Sequence, residues 1–235
     1  RSAWAGSAKY GALVWSGDIV STFECFRRQV QAGLNMAIAG IPWWPTDIGG
    51  FHGARTDDPD FHRLYIRWFE YGCFCPVMRL HGNRNPQEGY GAEQIGSGSD
   101  NEIWSFGDKA YEISKKYIFL RERLRDYIRT QMKKAHEDGT PMMRPVFYDF
   151  PTDQESWNVE DAYLFGPDLY VAPVMEDHVT EREVHLPAGT TWFNAWTGEK
   201  YEGGQKVTVA APMDTIPVFV KEGADAEKLL NIFSE

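Results

Sequence analysis

Val14-Trp15-Ser16-Gly17-Asp18 decides how this chain is read. The apolar run Gly11-Ala12-Leu13-Val14-Trp15 predicts a short buried strand entered from a glycine. Ser16-Gly17 breaks it, and Asp18 stands where the strand stops. Residues 23–36 then predict a helix, with Phe23, Phe26, Val30 and Leu34 at three-to-four spacing. A carboxylate at the C-terminal end of a strand that feeds a helix sits where (β/α)8 barrel proteins keep their chemistry. The competing reading makes Asp18 only the N-cap of that helix.

The same grammar then repeats. Residues 37–44 predict a second strand, with Pro42 as a local break near its end. The loop Thr46-Asp47-Ile48-Gly49-Gly50-Phe51 follows and carries a second carboxylate. Asp57-Asp58-Pro59-Asp60 opens a helix over 61–71, with Leu64, Trp68 and Tyr71 along one face. A third strand over 76–81 ends in Arg79 and His81. A polar loop over 83–100 is long enough to be functional. One long helix is expected over 107–137, its stripe formed by Ala110, Ile113, Tyr117, Leu120, Leu124, Ile128, Met132 and Ala135, until Gly139 and Pro141 stop it.

Past Pro141 the pattern changes to short strands separated by turn signals. They are expected over 143–150, 163–165, 169–174, 182–186, 191–196, 207–209 and 216–220, which predicts an antiparallel β-sandwich. The boundary falls near residue 140, giving a unit over 1–140 and another over 141–235. Residues 221–235 read as polar and then weakly helical, with no role to assign.

Composition narrows the function classes. A formal net charge of −10 with no Lys/Arg cluster argues against nucleic acid, and no apolar run reaches the length of a membrane span. Nine Trp and 14% aromatic residues suit both a core and the apolar faces of sugars. Cys25, Cys73 and Cys75 match no metal spacing and read as ordinary buried thiols. No secretory leader is visible, yet the chain opens at Arg1 rather than a methionine, so the compartment stays open, the cytoplasm being the default.

Polar groups at the same end of successive parallel strands converge. Taken singly, Asp47 is a turn former, His81 a satisfied core histidine and Arg79 an ion-pair partner; taken together, Asp18, Asp47, Arg79 and His81 describe one site. Two carboxylates amid tryptophans fit glycoside hydrolysis, in which one acid protonates the leaving oxygen and one carboxylate stabilises or attacks the anomeric carbon. A metal site built on Asp18, Asp47 and His81 lacks supporting ligand spacing. A serine hydrolase lacks its GxSxG elbow. No cofactor is expected.

The chain resembles glycoside hydrolase family 31, the retaining α-glucosidases and α-xylosidases. The resemblance rests on Arg1-Ser2-Ala3, Trp15-Ser16-Gly17-Asp18, Gly40-Ile41-Pro42-Trp43-Trp44, Thr46-Asp47-Ile48-Gly49-Gly50-Phe51, Arg67-Trp68, Arg79-Leu80-His81-Gly82, Gly139-Thr140-Pro141-Met142-Met143-Arg144 and Val171-Ala172-Pro173-Val174, in that order. It extends to about Val220. It implies the C-terminal portion of a (β/α)8 barrel followed by a β-sandwich, acting on an oligosaccharide or α-glycoside. Asp18 matches the general acid/base. Arg1 and His81 match residues that hydrogen-bond sugar hydroxyls in the −1 subsite, and Trp15 and Phe51 match its aromatic walls. Asp47 matches an aspartate that orients partners or sugar, braced by Arg79.

The departures are equally informative. The family's nucleophilic aspartate lies on an earlier strand, in an Asp-Met-Asn-Glu type of motif that this sequence does not contain. The expected partner is therefore the rest of a parent enzyme, with the N-terminal half of its barrel, and the isolated chain is expected to be inactive. A non-catalytic carbohydrate-binding or structural piece is the alternative. Glucose and xylose specificity stay equally open.

Overall fold

A computed structural model of the chain describes residues 2–84 and 99–234. Arg1 and most of the 83–100 loop lie outside the described residues. The first half alternates extended segments with helices. The segment over 12–18 leads into α1 (Phe23–Ile38), that over 41–47 into α2 (Pro59–Cys73), and that over 76–83 towards α3 (Asp108–Arg123) and α4 (Arg125–Glu137).

The three expected strands are parallel neighbours without a continuous ladder. Val14 N–H donates to Trp43 O at 3.2 Å, Val77 N–H to Trp44 O at 3.5 Å, and Ile48 N–H to Arg79 O at 3.2 Å. Bonds this sparse, one of them as long as 3.5 Å, leave the segments extended rather than regular strands. Residues 37 and 38, expected in the second strand, instead finish α1, and Gly40 at φ 82° turns the chain out of it.

Thr22, not Asp18, caps α1: its Oγ1 accepts from Cys25 N–H at 3.1 Å. That removes the capping explanation of Asp18. Helix α2 starts as its sequence demands, with Asp58 capping the Asp60 N–H at 2.9 Å and Pro59 in the first turn. It is buried on nearly every side. Trp68 stacks on Phe26 of α1, ring centroids 4.9 Å apart, and its Nε1 donates to Thr46 Oγ1 at 2.8 Å. This contact pins the second segment one residue before Asp47.

The single long helix is instead two, hinged at Leu124, where ψ is −4°. Leu124 still donates to Leu120 O and accepts from Ile128 N–H, both at 2.9 Å, so the predicted buried stripe carries across the bend. Arg121 of α3 donates to Cys73 O, Cys75 O and Pro76 O at 2.6–3.1 Å. It thereby satisfies the last carbonyl of α2, which has no basic residue in its own final turn, and two carbonyls just past it. The same contact fixes the start of the third segment.

The second half is a sandwich. Strands β1 (Met143–Arg144), β2 (Tyr163–Phe165), β3 (Leu169–Val171), β5 (Thr191–Asn194), β6 (Lys200–Glu202) and β8 (Val218–Lys221) form one antiparallel sheet in the order β1-β2-β3-β8-β5-β6; β4 (Glu181–Leu186) and β7 (Gln205–Ala210) pair over it. The strand expected over 143–150 is cut short, because Pro145 supplies no ladder donor and residues 146–148 turn as a 3-10 helix. Alternation along the large sheet does the sorting. Tyr163, Phe165, Leu169, Val171, Val218 and Val220 join the core of the helical half, whereas Leu164, Tyr170, Trp192 and Phe219 face β4 and β7. The core thus runs unbroken from the helices into the sheet. Helix α5 (Ala226–Ser234) seals it, with Phe233 stacked against Phe74 at 6.3 Å and edge-on to Trp196 at 5.1 Å.

Candidate active site

The three segment ends are tied to one another by their backbones. Phe51 and His52 N–H both donate to Ile19 O, at 2.7 and 3.0 Å, and Ser21 N–H donates to His52 O at 2.8 Å. Asn83 N–H donates to Phe51 O at 2.9 Å. The loop after the second segment is therefore the middle member, bonded on one side to the loop of Asp18 and on the other to that of His81.

Gly50 makes this approach possible. Its φ is +78°, and a Cβ there would lie 2.7 Å from the Ser21 Cα, so both conformation and space require glycine.

Asp47 is fully buried and ion-paired through Oδ1 with Arg79 Nη1. Burial pushes its carboxyl above the usual carboxylate range; Arg79 and His81 oppose that, and Asp18 adds repulsion. One carboxyl thus feels Asp18, Arg79, His81 and Arg84 together, which places the sequence-predicted groups in one field. The Asp47 Oδ2 has no hydrogen-bond partner among the described residues. Arg79 also lies over the Trp15 ring, 5.3 Å from its centroid, and Phe51 leans on His81 with ring centroids 5.3 Å apart. Asp18 and His81 are exposed, and Trp15 and Phe51 are half-buried. Of the predicted site residues only Arg1 lies outside the described residues.

Arg84 is the residue that motif reading passed over. It is 1% exposed. Its guanidinium donates to Gly50 O at 2.7 Å, Ile48 O at 3.0 Å and Asn101 Oδ1 at 2.8 Å, and lies 4.8 Å from the Phe61 ring centroid. Burial lowers its pKa to about 10. It is the internal brace of the Asp47 loop. Gly82 leaves it room, since a Cβ there would meet the guanidinium carbon at 2.5 Å. A lone arginine two residues past a glycine, at the end of a strand with two other cationic or titratable groups, was the available signal.

Comparison with known proteins decides the family. Residues 1–131 match the glycosyl hydrolases family 31 TIM-barrel domain and residues 139–224 the glycosyl hydrolase family 31 C-terminal domain. The chain belongs to glycoside hydrolase family 31. It is similar to the α-xylosidase of Saccharolobus solfataricus, at 38% identity over 95% of this chain and 29% of that protein. It is similar too to α-glucosidase 2 of Bacillus thermoamyloliquefaciens, at 34% identity over 95% of this chain and 26% of that one. Among solved structures, a family 31 α-xylosidase from a soil metagenome, complexed with xylose, superposes with a TM-score of 0.90 at 54% identity, covering 97% of this chain and 35% of that one. The family 31 chain spans about a third of the length of these relatives. Its fold is a portion of a (β/α)8 barrel followed by a β-sandwich.

Proposed function

We propose that this chain supplies the acid/base half of a retaining exo-acting α-glycosidase, with Asp18 as the general acid/base. The supporting observation is the adjacency of three segment ends: backbone hydrogen bonds tie the loops that follow Asp18, Asp47 and His81, and Arg79 pairs with the buried Asp47 carboxyl. Asp18 is the exposed carboxylate of this group, where a glycosidic oxygen can reach it, and helix capping does not account for it. Asp47 is unsuited to attack carbon, being buried and held by Arg79. Its second oxygen is instead an acceptor that a sugar hydroxyl would fill. His81 and Arg1 bind further hydroxyls, and Trp15 and Phe51 wall the ring. The unit over 1–140 carries this site and that over 141–235 supports it from below.

The nucleophile comes from residues beyond this sequence, because retention needs a second carboxyl about 5–5.5 Å from the acid/base. The substrate class follows the relatives at 38% and 54% identity, both named α-xylosidases; terminal α-xylosides are the first choice and α-glucosides the second. The test replaces the matching third of the soil-metagenome α-xylosidase with this chain. The chimera should hydrolyse p-nitrophenyl α-xyloside in preference to the α-glucoside. A soluble, folded chimera that cleaves neither, or that loses nothing on Asp18→Ala, refutes the assignment. The chain without its partner half should show no turnover.

A further inference from the structure

A second feature lies away from the strand ends. Three clefts adjoin where α1 faces residues 154–161 and β4. The largest of the three, about 490 Å³, shares Gln31 and Glu160 with one of about 290 Å³, and Asn158, Asp161 and Arg182 with one of about 230 Å³. None is lined by Trp15, Asp18, Asp47, Phe51, Arg79 or His81. Their sizes lie within or near the range of ordinary ligand sites.

The two ends carry unusual groups. Trp157 lines the second cleft and is 55% exposed, yet it is not loose. One face stacks on Phe147 with centroids 4.5 Å apart and planes at 5°, and Nε1 donates to Pro151 O at 3.0 Å. A large apolar ring is thus held in place with its other face open to solvent. Tyr170 lines the third cleft; it is fully buried, and its hydroxyl has no partner among the described residues. A buried, unpaired hydroxyl is costly, and a ligand hydroxyl satisfies it directly or through a water. Between the ends stand planar polar groups, with Gln31 Nε2 donating to Glu160 Oε2 at 3.0 Å.

Charge selects the ligand. Five carboxylates line the first cleft against Arg27 and Arg182, and those two are already paired with Glu176 at 2.8 Å and Asp161 at 2.7 Å. An anion is repelled. A metal ion lacks a cage, since among the described residues no cluster of three His, Cys, Asp or Glu is placed to hold one. A neutral polyhydroxylated chain fits both the ring and the polar lining. We propose that this groove is a second carbohydrate site, which stacks one sugar of a neutral oligosaccharide on Trp157 and hydrogen-bonds its hydroxyls along Gln31, Glu160 and Tyr170.

The test is calorimetric titration of the 235-residue chain with maltohexaose, isomaltohexaose and cellohexaose, and with trigalacturonate as the anionic control. Saturable binding of at least one neutral hexasaccharide is expected, with trigalacturonate at least about tenfold weaker. Trp157→Ala should weaken it about tenfold, the loss of one stacking contact. Trp157→Phe keeps a ring and should stay within about threefold. Absent neutral binding, preference for the anion, or indifference to Trp157→Ala in a protein of unchanged thermal midpoint each overturns the proposal.

Discussion

Replacing Arg84 by methionine tests whether the candidate site is held from beneath. Methionine keeps the unbranched stem and removes the guanidinium. Three charge-assisted hydrogen bonds at or under 3.0 Å disappear, at about 1.5–3 kcal/mol each. Against this, the buried charge is relieved. Its fall to about 10 from an ordinary 12.5 corresponds to roughly 3 kcal/mol at 1.36 kcal/mol per pKa unit. The bonds win, and the net loss is about 3 kcal/mol. For a chain of this size that lowers the thermal midpoint by about 6–12 °C.

The loss should also be local. Phe51, His52 and Asn83 amides, which knit the three loops, should exchange about a hundredfold faster with deuterium, while the β4–β7 pair stays protected. Unchanged stability with unchanged exchange at those amides refutes the argument that Arg84 braces the Asp47 loop. Equal loss of protection throughout the chain refutes its local form.

Two further outcomes follow from the same geometry. Gly50→Ala forces a side chain into a left-handed backbone against the Ser21 Cα; it should cost about 2–3 kcal/mol by thermal unfolding and lower chimera activity, whereas Gly53→Ala, at the same sign of φ with nothing within 4 Å, should cost only about 1 kcal/mol. Glu70 is completely buried beside Arg67, and burial pushes its carboxyl up to about 8. Between about 4.3 and about 8 the native state holds a proton that the unfolded chain has released, so this group's contribution to stability falls as pH rises through that window. Urea titrations from pH 5 to 8 should show a shallower slope for Glu70→Gln than for wild type, and a parallel slope contradicts the assignment.

Helices were legible because their signals are local. Pro59 in a first turn and an eight-residue apolar stripe need no tertiary information, and even the unforeseen hinge at Leu124 left that stripe intact. The convergence of Asp18, Asp47, Arg79 and His81 was legible because parallel connection puts successive strand ends on one side. Other features depend on non-local pairing. Strand β6, Lys200–Glu202, is three residues of polar edge and gives no periodic signal. The insertion of β8 between β3 and β5 brings Leu169 opposite Val220 across about fifty positions, which no local pattern encodes. Helix α5 looked idle because its apolar face has meaning only against Phe74 and Trp196. Arg84 was missed for a related reason: its partners are backbone carbonyls, and every residue has one.

The most direct test of the central claim is the product formed when azide is added to the Asp18→Ala chimera with p-nitrophenyl α-xyloside. If Asp18 is the acid/base, hydrolysis falls by about 10²–10⁴-fold, and azide restores turnover by attacking the covalent intermediate from the face the acid/base had served. Two inversions then give the α-xylosyl azide. The β-xylosyl azide, from one direct displacement, would make Asp18 the nucleophile. Undiminished hydrolysis without azide would remove it from the chemistry altogether.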